Sequence, residues 1–397
     1  MADGENLQDT SGDEHRPGRR GGVFGRLKRR ARNRAWRLLT GADRDGGPSS
    51  HEIRRAAGYR DVRIEVFAGH GTRTEMRLRA RVLAGPAPRP ARAHDSVWKN
   101  LENSLRRFRI QPIPGVKVIA RGPAGPIEAV SDGEGFVRFI FPGAPELSAE
   151  DGWVGIPVEI RAEANPGVAP AGATGRVRIP GPRAEYAVIS DIDDTILETG
   201  VADRLRFYLR TVSRNAHTRT AFPGVAELYR AFVEGAGGDA ANPVFYVSSS
   251  PWNLYDLLAQ FVRLKGIPEG PMFLRDFGTD ATKILQSRHE VHKLAAIREI
   301  LGIHSGLPVV LIGDSGQQDP EIYRDVAAEF PDRVLAVYLR DVSGDARNEE
   351  VQILAAELEE PAVPLILCPT TEDAAAHAAA IGLVLAEHAD AGSSEPA

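Results

Sequence analysis

A chain of 397 residues is long enough for two domains with tails, and 42% apolar against 26% charged residues describes a protein able to bury sizeable cores. Cys368 is the single cysteine, which excludes an intrachain disulfide and points to a reducing compartment. No run approaches the roughly 18 apolar residues of a membrane span and no apolar signal core stands near Met1, so a cytoplasmic location is expected.

The net charge of −5 is unevenly spread. Residues 16–44 carry ten arginines and Lys28 against Asp43, a local +10 that leaves −15 for the rest. Residues 1–50 therefore read as a basic, disordered arm. Phe24, Leu27, Ala31, Ala35 and Leu38 recur in it at helical spacing among the arginines. That pattern suits an amphipathic helix on an anionic membrane surface, the inner face if the protein is cytoplasmic. A solvated arm without a partner is the plainer reading. Nucleic acid is disfavoured because Phe24 and Trp36 are the only aromatics in the basic run.

Residues 51–182 change character. Met76-Arg77-Leu78-Arg79-Ala80-Arg81-Val82 alternates apolar and charged residues, the period of a half-buried strand. Val62/Ile64/Val66, Val116/Val118, Val137/Phe139, Val158/Ile160 and Val177/Ile179 repeat the pattern. Turn signals separate them at Gly69-His70-Gly71, Pro114-Gly115, Asp132-Gly133 and Asn165-Pro166-Gly167. Short strands at this density predict a β-sandwich-like accessory domain. One inserted helix is expected, with Trp98, Leu101, Leu105 and Phe108 on a face. Nothing in this segment has catalytic chemistry.

Residues 183–385 alternate differently. Apolar runs at 186–190, 243–248, 308–313 and 334–339, with a short one at Met272-Phe273-Leu274, are separated by helical stretches at about 223–234, 251–265, 288–302 and 321–329. The segment from Pro364 adds a short strand and an Ala-rich helix, and residues 386–397 read as a disordered tail. Continuous apolar strands between helices predict an α/β fold with a doubly wound parallel sheet. In such sheets the site lies beyond the carboxyl ends of the strands.

The residues at those ends share one chemistry. After the first strand come Asp191, Asp193 and Asp194; after the second, Ser248-Ser249-Ser250; after the strand at 309–312, Asp314 with Asp319 five residues on; and Lys293 lies on the helix leading into that strand. Singly, each has an ordinary role as a cap or a solvated residue. Jointly they fit phosphoryl transfer. A carboxylate attacks a phosphate dianion only where a divalent ion offsets the repulsion, and Mg²⁺ takes hard oxygens such as Asp191, a backbone carbonyl and Asp314. Asp193, two residues past Asp191 in a turn, is suited to protonate a leaving oxygen.

Asp191-Ile192-Asp193-Asp194-Thr195 resembles the Asp-x-Asp-x-Thr nucleophile motif of the haloacid dehalogenase superfamily, and Ser248, Lys293, and Asp314 with Asp319 follow its later motifs in order. SDIDDTI, FPGVAELY, YVSSSPWNLYDLL and LIGDSGQQDPEIY resemble, more closely, the actin-patch-type Mg²⁺-dependent phosphatidate phosphatases over about 183–370. The resemblance implies a haloacid dehalogenase-like catalytic domain and a two-step reaction through an aspartyl-phosphate. In it Asp191 is the nucleophile and Asp193 the acid and then base. Ser248, first of the three serines, holds a phosphoryl oxygen, and Lys293 neutralises the nucleophile and phosphoryl group. Mg²⁺ is held by a set drawn from Asp191, Asp193, Asp314 and Asp319. The implied reaction converts phosphatidate to diacylglycerol. A soluble phosphomonoester as substrate, or a non-catalytic lipid- or protein-binding scaffold, are the alternatives.

Other signals carry less. Gly313-Asp314-Ser315-Gly316 matches a trypsin-like nucleophile signature, but a parallel strand feeding it puts Asp314 at the rim instead of Ser315. His289 and His292 read as helix-surface residues. The gaps of about 27 residues before Pro223 and about 42 before Lys293 are too short for a folded cap, so the rim is expected to be open. Leu205, Phe207, Tyr208, Leu209 and Trp252 are candidates for contact with acyl chains.

Overall fold

The computed structural model describes residues 58–85, 111–143, 152–196, 221–275, 287–358 and 363–387. The basic arm, the helix expected around Trp98–Phe108, the apolar residues Leu205–Leu209, the side chain of His289 and all of the tail past Glu387 lie outside the described residues.

The first part is built from β1 (Val62–Val66), β2 (Gly69–Gly71), β3 (Glu75–Ala84), β4 (Gln111–Pro112), β5 (Lys117–Gly122), β6 (Gly125–Val130), β7 (Phe136–Pro142), β8 (Trp153–Ile160) and β9 (Ala171–Arg178). They join in one hydrogen-bonded network in the order β1-β3-β2-β9-β8-β5-β6, with β4 and β7 also pairing with β3. Met76, Leu78, Ala80 and Val82 of β3 point into a core shared with Val118, Val137, Phe139, Val158 and Val177. Gly69-His70-Gly71 is a strand and not the turn its glycines signal. The glycines serve close packing: a Cβ on Gly69 would stand 2.2 Å from the Arg77 carbonyl oxygen.

The arginine face of β3 is only partly turned to water. Arg77 Nη1 donates to Glu299 Oε1 at 2.9 Å, Arg79 lies 4.9 Å over the ring of Trp252, and Arg81 Nη1 donates to Asn253 Oδ1 at 2.7 Å. Alternation thus gives β3 two environments, a buried apolar core on one face and a partly buried charged contact with the following α/β part on the other.

That part is the α/β fold read from the sequence. Six parallel strands stand in the order β12 (Met272–Arg275), β11 (Val244–Pro251), β10 (Ala187–Ser190), β13 (Val309–Asp314), β14 (Val334–Arg340), β15 (Leu365–Cys368). Central β10 is buried at every position, as expected of a parallel strand covered on both faces. Helices α1 (Val225–Glu234), α2 (Tyr255–Leu264) and α6 (Thr371–Ala380) pack on one face with Val188, Tyr246, Val310 and Tyr338. Helices α3 (Ser287–Ile303), α4 (Asp319–Glu329) and α5 (Asp345–Ala356) cover the other with Ile189, Val247, Leu311 and Val337. Among the described residues no helix is long and apolar enough to cross a membrane.

Candidate active site

The chain runs outward from β10 through β11 to β12 and then crosses back to β13 on the other side of β10, so the strand order reverses between β10 and β13 and the carboxyl ends of β10, β11 and β13 open onto one crevice. Asp191 follows β10 directly, and its backbone N–H donates to the Ile312 carbonyl of β13 at 2.9 Å, which ties the two strand ends together. Ser190, the last residue of β10, donates its hydroxyl to the Asp191 carbonyl at 2.6 Å and meets the Tyr229 hydroxyl of α1 at 2.5 Å. Asp194 has φ of 58°, left-handed backbone that turns the loop back over the strand ends.

Lys293 reaches in from α3. Its Nζ lies 2.8 Å from Asp191 Oδ1 and 2.5 Å from Asp319 Oδ1, with the lysine side chain 4% exposed and the two carboxylates 1% and 0%. Burial disfavours the ammonium, but Asp191 and Asp319 together outweigh that and hold Lys293 above its ordinary pKa. Asp319, at the start of α4, also accepts the Asp314 backbone N–H through Oδ2 at 3.3 Å. A Cβ on Gly313 would stand 2.7 Å from that oxygen, so glycine is required there.

Asp314 closes the loop that follows β13. Its Oδ1 accepts the backbone N–H groups of Gly316 and Gln317 at 2.8 and 2.9 Å, and its Oδ2 accepts Gln317 Nε2 at 3.1 Å. The same Nε2 also reaches the Asp193 carbonyl at 3.3 Å. From behind, Arg347 of α5 donates to the carbonyls of Ser315 and Gln317 at 3.0 and 2.9 Å, and pairs with both oxygens of Glu321.

Ligand atoms of Asp191, Asp314 and Asp319 lie within 4.8 Å of one another, all buried. Burial pushes the Asp191 carboxyl well above the usual carboxylate range; Lys293 opposes this, and Asp319, Asp193 and Asp314 push further in the same direction. Burial, then Asp319, raise Asp314 to about 8. Asp191 Oδ2 is buried without a hydrogen-bond partner among the described residues. Among the described residues Lys293 is the one cation ion-paired to these acids, which leaves the cluster short of positive charge. Hard oxygens, an uncommitted carboxylate oxygen and excess negative charge are what a divalent cation such as Mg²⁺ would satisfy.

Ser248 lies on β11 and donates to Asp193 Oδ2 at 2.8 Å; Ser250 donates to the same oxygen at 3.0 Å, and its N–H donates to Ser248 Oγ at 2.9 Å. The serines stand where the β11–β12 register shifts between Val247 and Pro251, so they belong to an irregular strand end and not to the helix cap that Pro251 signals. Two of the expectations above, those for Trp252 and His292, change, while that for Ser315 does not. Trp252 is buried against Phe67, with ring centroids 4.4 Å apart, so it is not an apolar contact at the rim. Ser315 bonds Ser343 Oγ at 2.6 Å and is buried behind the Asp314 loop, as the parallel topology requires. His292 is half-buried and its Nε2 lies 3.4 Å from the Phe273 carbonyl, tucked against β12 and not free on the helix surface.

All six predicted residues thus meet in one crevice. The sequence reading missed Ser190, Tyr229, Gln317 and Arg347. Gln317 sits inside a quoted motif, but an amide within an acidic loop carries no signal by itself, and Arg347 lies 28 residues past Asp319 in a stretch with no periodicity.

Residues 186–341 match the family described as "Phosphatidate phosphatase APP1, catalytic domain". Phosphatidate phosphatase APP1 of Saccharomyces cerevisiae is 34% identical over 169 residues, 41% of this chain and 28% of that protein. An uncharacterized protein of Schizosaccharomyces pombe is 32% identical over 167 residues, 41% of this chain and 26% of that one. The chain therefore spans about a quarter of the length of these curated relatives. Among solved structures, a Parabacteroides merdae β-glucuronidase aligns over 77% of this chain and 40% of its own, at 10% identity and a TM-score of 0.24, too low to bear on the fold.

Proposed function

We propose that the protein is a Mg²⁺-dependent phosphoric monoester hydrolase acting through an aspartyl-phosphate, with phosphatidate as its substrate and diacylglycerol as product, a reading supported by the match of residues 186–341 to the family of APP1-type phosphatidate phosphatase catalytic domains. The observation that carries the reading is Asp191, held at Oδ1 by Lys293 and uncommitted at Oδ2, in a buried cluster with Asp314 and Asp319. On this reading the catalytic part is haloacid dehalogenase-like and the β-rich part before it sandwich-like. The arm at 16–44 is a peripheral contact to anionic membrane at its cytoplasmic face.

In the first step an Asp191 carboxylate oxygen bonds to phosphorus as the bond from phosphorus to the ester oxygen breaks. Asp193 gives that oxygen its proton, so the alcohol leaves neutral. In the second, Asp193, now ionised, takes a proton from water; the water oxygen bonds to phosphorus, and the acyl-phosphate bond breaks. Inorganic phosphate departs, with both carboxyl groups returned to their starting states. Lys293 keeps Asp191 oriented and offsets charge on it and on the phosphoryl group. The two serine hydroxyls fix the Asp193 carboxyl through Oδ2. Asp191, Asp314 and Asp319 would hold the Mg²⁺ ion, which supplies the charge neutralisation that lets one anion approach another.

The test is phosphate release from a panel of lipid and soluble phosphomonoesters with Mg²⁺, comparing the wild type with Asp191→Asn. The amide is nearly isosteric but forms no acyl phosphate. Loss of turnover in a variant that still folds is expected; more than a few per cent of wild-type kcat in the variant excludes the covalent route.

A further inference from the structure

The residues that follow the active-site serines are held from outside the catalytic sheet. Trp252, two residues past Ser250, packs against Phe67 at 4.4 Å and Phe136 at 6.1 Å between ring centroids, with the Arg79 guanidinium 4.9 Å over it. Asn253 accepts Arg81 Nη1 at 2.7 Å, while Arg81 Nε donates to the Glu134 carbonyl at 2.9 Å and the guanidinium lies 4.5 Å over Phe136. The hydroxyl of Tyr255 accepts the Ala68 N–H at 2.8 Å. Phe67, Ala68, Arg79, Arg81, Glu134 and Phe136 all belong to the β-rich part. So three of the four residues after Pro251 take their partners from it.

The strand end itself has little else to fix it. Between Val247 and Pro251 the β11 chain uses four residues where β12 uses two, from Phe273 to Arg275, so the ladder does not hold the serine backbone. Yet Ser248 and Ser250 must both point at one oxygen of Asp193. Anchoring Trp252, Asn253 and Tyr255 on a rigid neighbouring sheet fixes where the irregular segment ends, and with it the serine hydroxyls.

We propose that the β-rich part is a positioning element of the active site: Arg81, through Asn253, and Phe67, through Trp252, set the serine segment that orients Asp193. This rests on the phosphatase reading above. Arg81 touches no reacting atom, so it is a positioning residue. The alternation of β3 explains how one strand does both jobs, since Met76 to Val82 build the module core while Arg79 and Arg81 on the opposite face reach the serine segment.

The test uses the full chain, with p-nitrophenyl phosphate and Mg²⁺ as soluble probe. Arg81→Ala and Asn253→Ala are each expected to lower kcat about ten- to hundredfold, as sub-ångström to ångström misplacement does, with little change in KM. Arg81→Lys should recover part of the loss, because one donor to Asn253 remains. Both losses should vanish in a Ser248→Ala/Ser250→Ala background, which a general weakening of the fold would not do. Arg176→Ala, which breaks a different ion pair between the two parts (with Glu269), should keep wild-type kcat. Independently of turnover, amide exchange at Ser250 should speed up in Arg81→Ala while amides of Ala187–Ser190 stay protected. Unchanged kcat in both variants, or a loss that persists without the serines, overturns the proposal. Should the wild type hydrolyse no phosphomonoester, the phosphatase reading falls, and the exchange at Ser250 decides the positioning role alone: unchanged exchange overturns it.

Discussion

Lys293 Nζ lies 2.8 Å from Asp191 Oδ1 in a pair that is 4% and 1% exposed, with Asp319 as the lysine's second partner. Removing one partner of a buried pair is far worse than never having had the pair, because a desolvated charge is left behind. Lys293→Met, of similar length and no charge, should therefore destabilise the protein by about 3 kcal/mol, the lower end of the range for such breaks, since Asp191 can relieve itself by taking up a proton. Turnover should fall at least about a hundredfold. Denaturant melts and steady-state rates check both; a variant within a few-fold of wild-type kcat removes Lys293 from the mechanism.

The acid cluster makes a metal prediction. Asp191, Asp314 and Asp319 bring ligand oxygens within 4.8 Å of one another, with Lys293 the one cation ion-paired to them among the described residues. Activity should vanish in EDTA and return with millimolar Mg²⁺, and Mg²⁺ should also raise the unfolding midpoint by mass action on the native state. Ca²⁺ should inhibit, because its larger and looser coordination shell spoils in-line geometry. Full activity in excess chelator refutes a metal-dependent reaction.

How far the sequence carried this reading depends on the type of signal. Parallel strands such as Ala187–Ser190 and Val309–Asp314 are buried on both faces and so read as unbroken apolar runs, and the topology rule then located Asp191 and Asp314 at one rim. Helix α5 left no such trace: of its residues only Val351 is buried, so nothing repeats at helical spacing. Gly69-His70-Gly71 carried turn chemistry that close packing put to another use. Arg77, Arg79 and Arg81 signalled a solvent face because composition cannot tell water from a neighbouring domain's polar groups. For the same reason Trp252 read as a rim residue. Which partner a side chain finds across 55 to 222 residues of chain is tertiary information, and local pattern does not hold it.

A buried histidine gives a pH prediction away from the crevice. His304, after α3, is 3% exposed; its Nε2 lies 3.2 Å from His70 Nδ1, and its Nδ1 has no hydrogen-bond partner among the described residues. Burial, with His70 and Arg333 adding to it, pushes its pKa down to about 3. Around the pair stand Glu299 and Arg77, ion-paired to each other, and the rings of Phe245 and Phe273. A depressed pKa means that the unfolded chain binds the proton first. The stabilising effect is whole above pH 6.5 and is lost as pH falls toward 3, by about 1.4 kcal/mol per pH unit within that window. His304→Gln cannot titrate, so its stability should fall less steeply than the wild type's between pH 6.5 and 5, by about 2 kcal/mol over the interval. Denaturant melts at the two pH values measure it; equal slopes would show that His304 titrates normally in the folded protein.

The last prediction concerns substrate size. The loop after Ile196 is joined to α1 through residues 197–220, two dozen residues, fewer than a folded cap domain needs. The chain from Pro251 to Lys293 is already occupied by α2, β12 and the first turns of α3. With no cap domain among the described residues, the crevice at the ends of β10, β11 and β13 has to be shielded from bulk water by something else while the phosphoryl group passes to Asp191 on the reading proposed above. A phosphomonoester presented at a lipid surface brings its own cover; a free sugar phosphate does not. The basic arm would favour the same encounter, since lysines and arginines near an anionic surface each contribute about 1 kcal/mol. The kcat/KM for phosphatidate in mixed micelles should then exceed that for glycerol 3-phosphate at least about tenfold, or about 1.4 kcal/mol in transition-state binding. Glycerol 3-phosphate carries the same phosphoryl group and glycerol backbone, so the comparison isolates the acyl chains and the surface. Turnover of the water-soluble ester at an equal or better kcat/KM would remove the lipid from the assignment and leave the Asp191 chemistry in place.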